Sequence, residues 1–200
     1  MSRSELTPVS FLKRTSLVYG DRLAVVVPGT KSNDAISYNY NELAARVKSA
    51  ANDLRQRGVV NGDRVAYLSN NTPHLFDAHF AVPLAGAVIV AVNTRLGPEE
   101  IEFIIGHSGA KLVFVDADLV THLPDLPNVD VVVLGSGDKG IDPEIAQLTD
   151  AQNIVSQWDE FATVADEEDT LSISYTSGTT GRPKGTSHSL RTSTSTDKQS

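Results

Sequence analysis

Leu171-Ser172-Ile173-Ser174-Tyr175-Thr176-Ser177-Gly178-Thr179-Thr180-Gly181-Arg182-Pro183-Lys184-Gly185 is the stretch that decides how the rest of the chain is read. Its opening residues alternate apolar and polar side chains, the period of a half-buried β-strand. From Tyr175 onward, eleven positions hold three glycines, four small hydroxyl residues and two cations. Glycine lets backbone N–H groups turn inward with no side chain in the way, and successive inward amides make a concave nest for anions. The hydroxyls add donors, and Lys184 and Arg182 add positive charge. Pro183 stiffens the exit. A strand that feeds a loop of this composition is suited to holding phosphate. It is not the G-x-x-x-x-G-K-[ST] loop of nucleotide triphosphatases. Counted from Gly178, that pattern needs glycine where Pro183 stands, and Ser or Thr where Gly185 follows the lysine. A flexible linker of the same composition would not need so ordered a string.

Working outward, the 200 residues suffice for one domain with a buried core. The hydrophobic content of 40% and charged content of 21% are those of an ordinary globular chain. A net charge of -8 argues against a nucleic-acid surface, which would be basic. The chain has no cysteine, so disulfides, thiolate zinc sites and cysteine nucleophiles are excluded. No apolar run reaches the ~18 residues of a transmembrane span. Neither a secretory signal nor a peroxisomal C-terminal address is evident, and a cytoplasmic location is the expectation.

Hydrophobic periodicity lays out alternating elements. Thr7-Pro8 to Gly20 suits a short helix, Leu23 to Val27 a strand, and Ala35 to Tyr38 the returning arm of a hairpin. Leu43, Ala44, Val47, Ala50, Ala51 and Leu54 fall on one helical face, capped by Asn39 or Asn41 and ended by Gly58. Arg46, Lys48, Asp53 and Arg55 lie mostly off that face. Arg64 to Leu68 reads as a strand. A helix opens at Thr72-Pro73, and Pro83 should kink or end it. Gly86 to Val92 is continuously apolar, as in a strand covered on both faces. Pro98-Glu99-Glu100 starts a helix with acids at the positive end of its dipole. Lys111 to Val115 and Val129 to Leu134 are further strands. Strand alternating with helix predicts an α/β fold with a mostly parallel sheet flanked by helices.

Other chemistry is thin. Gly135-Ser136-Gly137-Asp138-Lys139-Gly140 is formally G-x-G-x-x-G, with Asp159 and Glu160 about 20 residues on. A dinucleotide site needs a helix opening among the glycines, and Pro143 blocks it, so a surface turn is expected. Histidines 74, 79, 107, 122 and 188 show no metal-ligand spacing. Ser108 is not in a hydrolase elbow. Asp166-Glu167-Glu168-Asp169 reads as a solvated link.

Tyr175 to Gly185 resembles the signature loop of the adenylate-forming, AMP-binding superfamily, which includes acyl-CoA synthetases, luciferases and the adenylation domains of peptide synthetases. Ile36-Ser37-Tyr38-Asn39-Tyr40-Asn41-Glu42-Leu43, Leu84 to Val88 with Asn93-Thr94-Arg95-Leu96, and Glu99 to Lys111 are similar to landmarks of acid–CoA ligases. The resemblance implies ATP-dependent activation of a fatty or aromatic carboxylic acid to an acyl-adenylate, then to a coenzyme A thioester. It implies ATP, Mg2+ and coenzyme A as cofactors, and ATP and a small carboxylic acid as partners. It places Thr176, Ser177, Gly178, Thr179, Thr180 and Lys184 on the phosphates, with Arg182 exposed, no catalytic residue assignable and no residue assignable to magnesium. It covers roughly residues 7–185, and residues 1–185 are taken as a partial N-terminal domain ending in the phosphate-binding loop. Residues 186–200 contain one large apolar side chain, Leu190, and a disordered Ser/Thr-rich tail is expected there. In the family a strand, a long apolar helix and the remaining catalytic parts follow the loop. The resemblance therefore implies a truncated chain, inactive alone. The alternatives are a non-catalytic binding fragment and a dinucleotide-binding protein.

Overall fold

The computed structural model describes residues 7–28, 35–135, 158, 169–176 and 183–189. Helix α1 (Pro8–Tyr19) starts where Thr7 caps it. The Thr7 hydroxyl accepts from the Ser10 amide, and the Ser10 hydroxyl answers the Thr7 amide. Strands β1 (Leu23–Val27) and β2 (Ile36–Asn39) form an antiparallel hairpin. Helix α2 (Tyr40–Gln56) follows at once, with Asn39 and Glu42 as its capping box at 2.9 and 2.7 Å.

Then come β3 (Arg64–Leu68), α3 (Pro73–Leu84), β4 (Val88–Val92), α4 (Pro98–Ser108), β5 (Ala110–Asp116) and β6 (Asp130–Leu134). The last two strands are β7 (Thr170–Thr176) and β8 (Lys184–Ser189). The main sheet has the order β6-β5-β3-β4-β7-β8. Its pairs are parallel except β7 with β8, which are antiparallel. The path from β3 to β4 steps one way across the sheet, and the path from β4 to β5 steps back past β3. Right-handed crossovers in opposite directions put their helices on opposite faces. So α3 joins α1 and α2 over one face, while α4 covers the other.

The strand pleat sorts the core accordingly. Val65, Tyr67, Ile89, Leu112 and Phe114 meet α1–α3, and Ala66, Leu68, Val90, Val113 and Val115 meet Ile101, Ile104 and Ile105 of α4. Each such aliphatic side chain contributes about 1.5–3 kcal/mol by leaving water. Ile173 and Tyr175 pack with the α4 face, as the alternation in the quoted stretch predicts. Helix α4 stops at Gly109, whose φ of 66° is the left-handed geometry that suits glycine. A Cβ there would lie 2.6 Å from Arg64 Nη2, and Arg64 uses that space to donate to the Ser108 and Gly109 carbonyls at 2.8 and 2.9 Å.

Four expectations are corrected. Arg46 and Lys48 are buried, at 5% and 2% exposure. Helix α2 is buried over more than its apolar face: Arg46 pairs with Asp77 and lies over the Tyr38 ring, while Lys48 Nζ lies 5.4 Å from the centre of the Trp158 ring. Gly86 and Ala87 precede β4 rather than forming part of it, because Gly86 turns the chain with φ of 86°. A 3-10 turn spans Ala117–His122, where no element was expected. Finally, the tail does not lose structure at residue 186. Strand β8 continues to Ser189, with Ser174 facing Thr186 and Ser172 facing His188. A short polar edge strand needs no buried helix face; its ladder to β7 is enough to define it. The Gly135–Gly140 motif beyond Gly135, Asp159, Glu160, the acid run 166–168 and residues 190–200 lie outside the described residues.

Candidate functional site

Strand β7 is an interior strand, with β4 on one side and β8 on the other. It ends at the carboxyl edge of the parallel array, where open α/β sheets bind ligands. Antiparallel pairing sets Thr176 directly opposite Lys184, and Tyr175 opposite Gly185. Both Thr176 and Lys184 are exposed, and Pro183 is half-buried beside them. A hydroxyl and an ammonium group therefore leave neighbouring strands at one point of the rim. Among the described residues, Lys184 has no ion-pair partner. Of the expected phosphate contacts, the structure brings together Thr176 and Lys184. Ser177, Gly178, Thr179 and Thr180 lie outside the described residues, as does Arg182.

Two polar neighbourhoods flank this point, and both escaped the sequence reading as such. On the α4 side, the Tyr175 hydroxyl is 2.9 Å from His107 Nδ1. Burial raises the Tyr175 pKa, and a hydrogen bond with Ser108 opposes the rise. Farther along the carboxyl edge, Asp116 is buried at 2% exposure and accepts from Ser69 Oγ and from the Asn70 amide, each at 2.8 Å. Asn70 Nδ2 reaches Asp118 at 3.3 Å, and Ser69 Oγ lies 3.1 Å from Thr72 Oγ1 at the cap of α3. Separations of 46 to 68 residues join these groups, and no spacing rule within one element could have paired them. The one available signal was that Ser69 and Asn70 leave the end of one predicted strand while Asp116 ends another.

Two clefts lie elsewhere. A cleft of about 320 Å³ at the opposite, amino-terminal edge is lined by Arg64, Gly86, Asp169 and Thr170 among others. Its guanidinium is already spent on the carbonyls that end α4. A second, of about 330 Å³, lies between α2, α3 and β6. At its wall Arg46 Nε donates to Asp77 Oδ2 at 2.7 Å, and the buried Tyr38 hydroxyl lies on the same carboxylate. Burial pushes the Asp77 carboxyl up to about 6, against the pull of Arg46. Neither cleft offers a free cation beside small hydroxyls, so the donor chemistry and the topology both favour the rim at Thr176 and Lys184. Among the described residues no group of three or more His, Asp or Glu could hold a metal ion. None is long and apolar enough, as a helix, to cross a membrane.

Residues 12–199 match the AMP-binding enzyme family. The chain belongs to that family. The match runs beyond Gly185, where the sequence resemblance had been bounded. Among curated AMP-binding relatives, a 2-methylpropanoate–CoA ligase of Humulus lupulus is 34% identical over 95% of this chain and 36% of its own length. The trans-cinnamate:CoA ligase of Petunia hybrida is 32% identical over 93% of this chain and 35% of its own length. The chain thus spans about a third of the length of the curated relatives it matches. Among solved structures, the anthranilate CoA ligase in complex with anthranoyl-AMP superposes with a TM-score of 0.72 at 25% identity, covering 91% of this chain and 34% of that one. An N-terminal subdomain from Klebsiella oxytoca, in complex with 3-hydroxybenzoyl-AMSN, gives 0.68 at 26% identity over 92% of this chain and 41% of that one. The chain therefore has the mixed α/β architecture of the N-terminal part of these adenylate-forming enzymes.

Proposed function

We propose that this chain supplies the phosphate-binding end of an ATP-dependent acid–CoA ligase. In that chemistry a carboxylate oxygen attacks the α-phosphorus of ATP. The bond to the bridging oxygen breaks, and pyrophosphate leaves with the electron pair. The thiol of coenzyme A then attacks the acyl carbon, and AMP departs. Negative charge shifts toward the β- and γ-phosphates in the first step, so donors fixed near them lower the barrier. Thr176 and Lys184 serve this purpose from the carboxyl rim. Ser177, Gly178, Thr179 and Thr180, which lie between them in the sequence, add further donors. The donor set suits phosphate oxygens, being made of hydroxyls, amides and an ammonium group. Magnesium and coenzyme A belong to the reaction by family, and no described residue is assigned to either. The acid is a small carboxylic acid, fatty or aromatic.

The observation that carries this reading is the direct cross-strand pairing of Thr176 with Lys184 at the carboxyl end of a parallel strand. It is supported by a family match that runs through the loop. Titration of MgATP into the chain by calorimetry tests it. Lys184→Ala is expected to weaken binding about tenfold or more, the scale of a lost charge-assisted hydrogen bond. An affinity untouched by that change would sink the assignment. We further infer that residues 1–200 alone do not turn over, because they span about a third of the length of the curated relatives. Carboxylate-dependent ATP–pyrophosphate exchange by the purified chain would overturn that second point and leave the first intact.

A further inference from the structure

A line of contacts joins α4 to the two strands that carry the site. Phe103 and His107 stack on α4, with ring centres 5.3 Å apart. The His107 ring meets the Tyr175 ring edge-on at 5.8 Å and 85°, and His107 Nδ1 is 2.9 Å from the Tyr175 hydroxyl. Tyr175 also meets Gly185, where an added Cβ would stand 3.2 Å from the phenol ring. Glycine at 185 lets the ring lie across the neighbouring strand. The contacts therefore end on the residue before Thr176 and the residue after Lys184, which face each other across the β7–β8 ladder.

Among the described residues, strand β8 is the last strand of the sheet and is hydrogen-bonded on one side only. An edge strand of this kind opens more readily than an interior one. Phosphate donors need fixed placement, since a shift of an ångström in a binding group is enough to spoil a site. His107 is itself exposed, so its contact with Tyr175 adds little to global stability; what it adds is a fixed position for one ring.

We propose that His107 is a positioning residue for the phosphate-binding rim: it holds the Tyr175 ring against Gly185 and so sets the spacing of Thr176 and Lys184. The inference rests on the phosphate-binding reading given above. His107 touches no phosphate itself. It acts through Tyr175, and the nucleotide feels it as the separation of two donors.

The test uses the 200-residue chain with inorganic pyrophosphate as probe, and reads both amide hydrogen exchange of β8 and pyrophosphate affinity. His107→Phe keeps the stacking on Phe103 and loses the hydrogen bond; Tyr175→Phe keeps the ring over Gly185 and loses the hydroxyl. Each is expected to speed exchange of the β8 amides and to weaken pyrophosphate binding by about three- to tenfold, the worth of one hydrogen bond. Exchange in β3 should not change. Because Tyr175→Phe removes the hydroxyl's contacts with both His107 and Ser108, the double variant should be no worse than Tyr175→Phe alone. His107→Asn, whose side-chain amide can stand near the Nδ1 position, should recover most of both losses. Unchanged β8 exchange, unchanged affinity despite faster exchange, or simple additivity of the two variants would each overturn the role of His107. A wild-type chain that binds no pyrophosphate would instead sink the phosphate-binding reading, an outcome distinct from wild-type binding that the variants leave unmoved.

Discussion

Two stretches of the same carboxyl rim treat their polar groups in opposite ways. Where β3 and β5 end, Asp116 is buried and its two oxygens accept from Ser69 and Asn70 at 2.8 Å each. Where β7 ends, Thr176 and Lys184 stand exposed and opposed across the ladder. In the first arrangement both carboxylate oxygens are answered from within, which makes it architecture. The second leaves donors turned outward, which is what a ligand for phosphate requires. Similar residue types therefore carry different meaning according to whether the fold has already answered them.

That contrast can be broken from the buried side first. The largest effect should come from Arg46, whose guanidinium is paired with Asp77 away from the rim. Arg46→Ala strands a buried carboxylate without its cation, and should cost about 3–5 kcal/mol in urea unfolding. Its effect on nucleotide binding should be no more than the loss of folded protein explains. Replacing both partners with apolar residues should recover much of that loss, because the penalty comes from the charge left alone. In the intact chain, with Arg46 in place, the Asp77 carboxyl also sets a sign with pH. The folded value near 6 lies above the ordinary 3.8, so the Asp77 contribution is fully present below about pH 4 and is lost as pH rises through 6.

Next in size is the closed part of the rim. Asp116→Ala removes the acceptor from Ser69 Oγ and from the Asn70 amide at once. Two hydrogen bonds to a charged acceptor put the expected cost at about 3 kcal/mol, read as a lower denaturation midpoint. If Asp116→Ala instead left stability alone and weakened MgATP binding, the division between closed and open rim would be wrong.

Much of the fold was legible because its elements are locally consistent. Thr7 and Thr72 cap the helices they were expected to open, Asn39 rather than Asn41 caps α2, and the alternation at Ile173 and Tyr175 put both on the α4 face. Strand order was not legible, because it depends on the direction of each crossover and no side chain announces it. The burial of Arg46 and Lys48 was missed for a related reason. Helical spacing identifies the apolar face, but whether the flanking faces meet Asp77 and Trp158 depends on what packs beside α2. Strand β8 was missed because its sequence, Lys184 to Ser189, has no apolar alternation; it is a strand through its backbone ladder to β7. Of the candidate site, the motif named the residue types, and the structure added the face-to-face placement of Thr176 and Lys184. The His107–Tyr175 contact spans 68 residues and could come only from the folded chain.

The smallest expected effect on stability is the most informative for the open rim. Lys184 has an exposed side chain and, among the described residues, no ion-pair partner. Its β-strand backbone would survive truncation, and surface substitutions away from packed features usually stay within about 0.5 kcal/mol. Lys184→Ala should therefore leave the unfolding midpoint in urea nearly unchanged. A loss comparable to that of Asp116→Ala would mean that the ammonium group is held by the fold itself. The residue would then belong with the closed part of the rim, and the weakened nucleotide binding of the same variant would have to be read as lost structure.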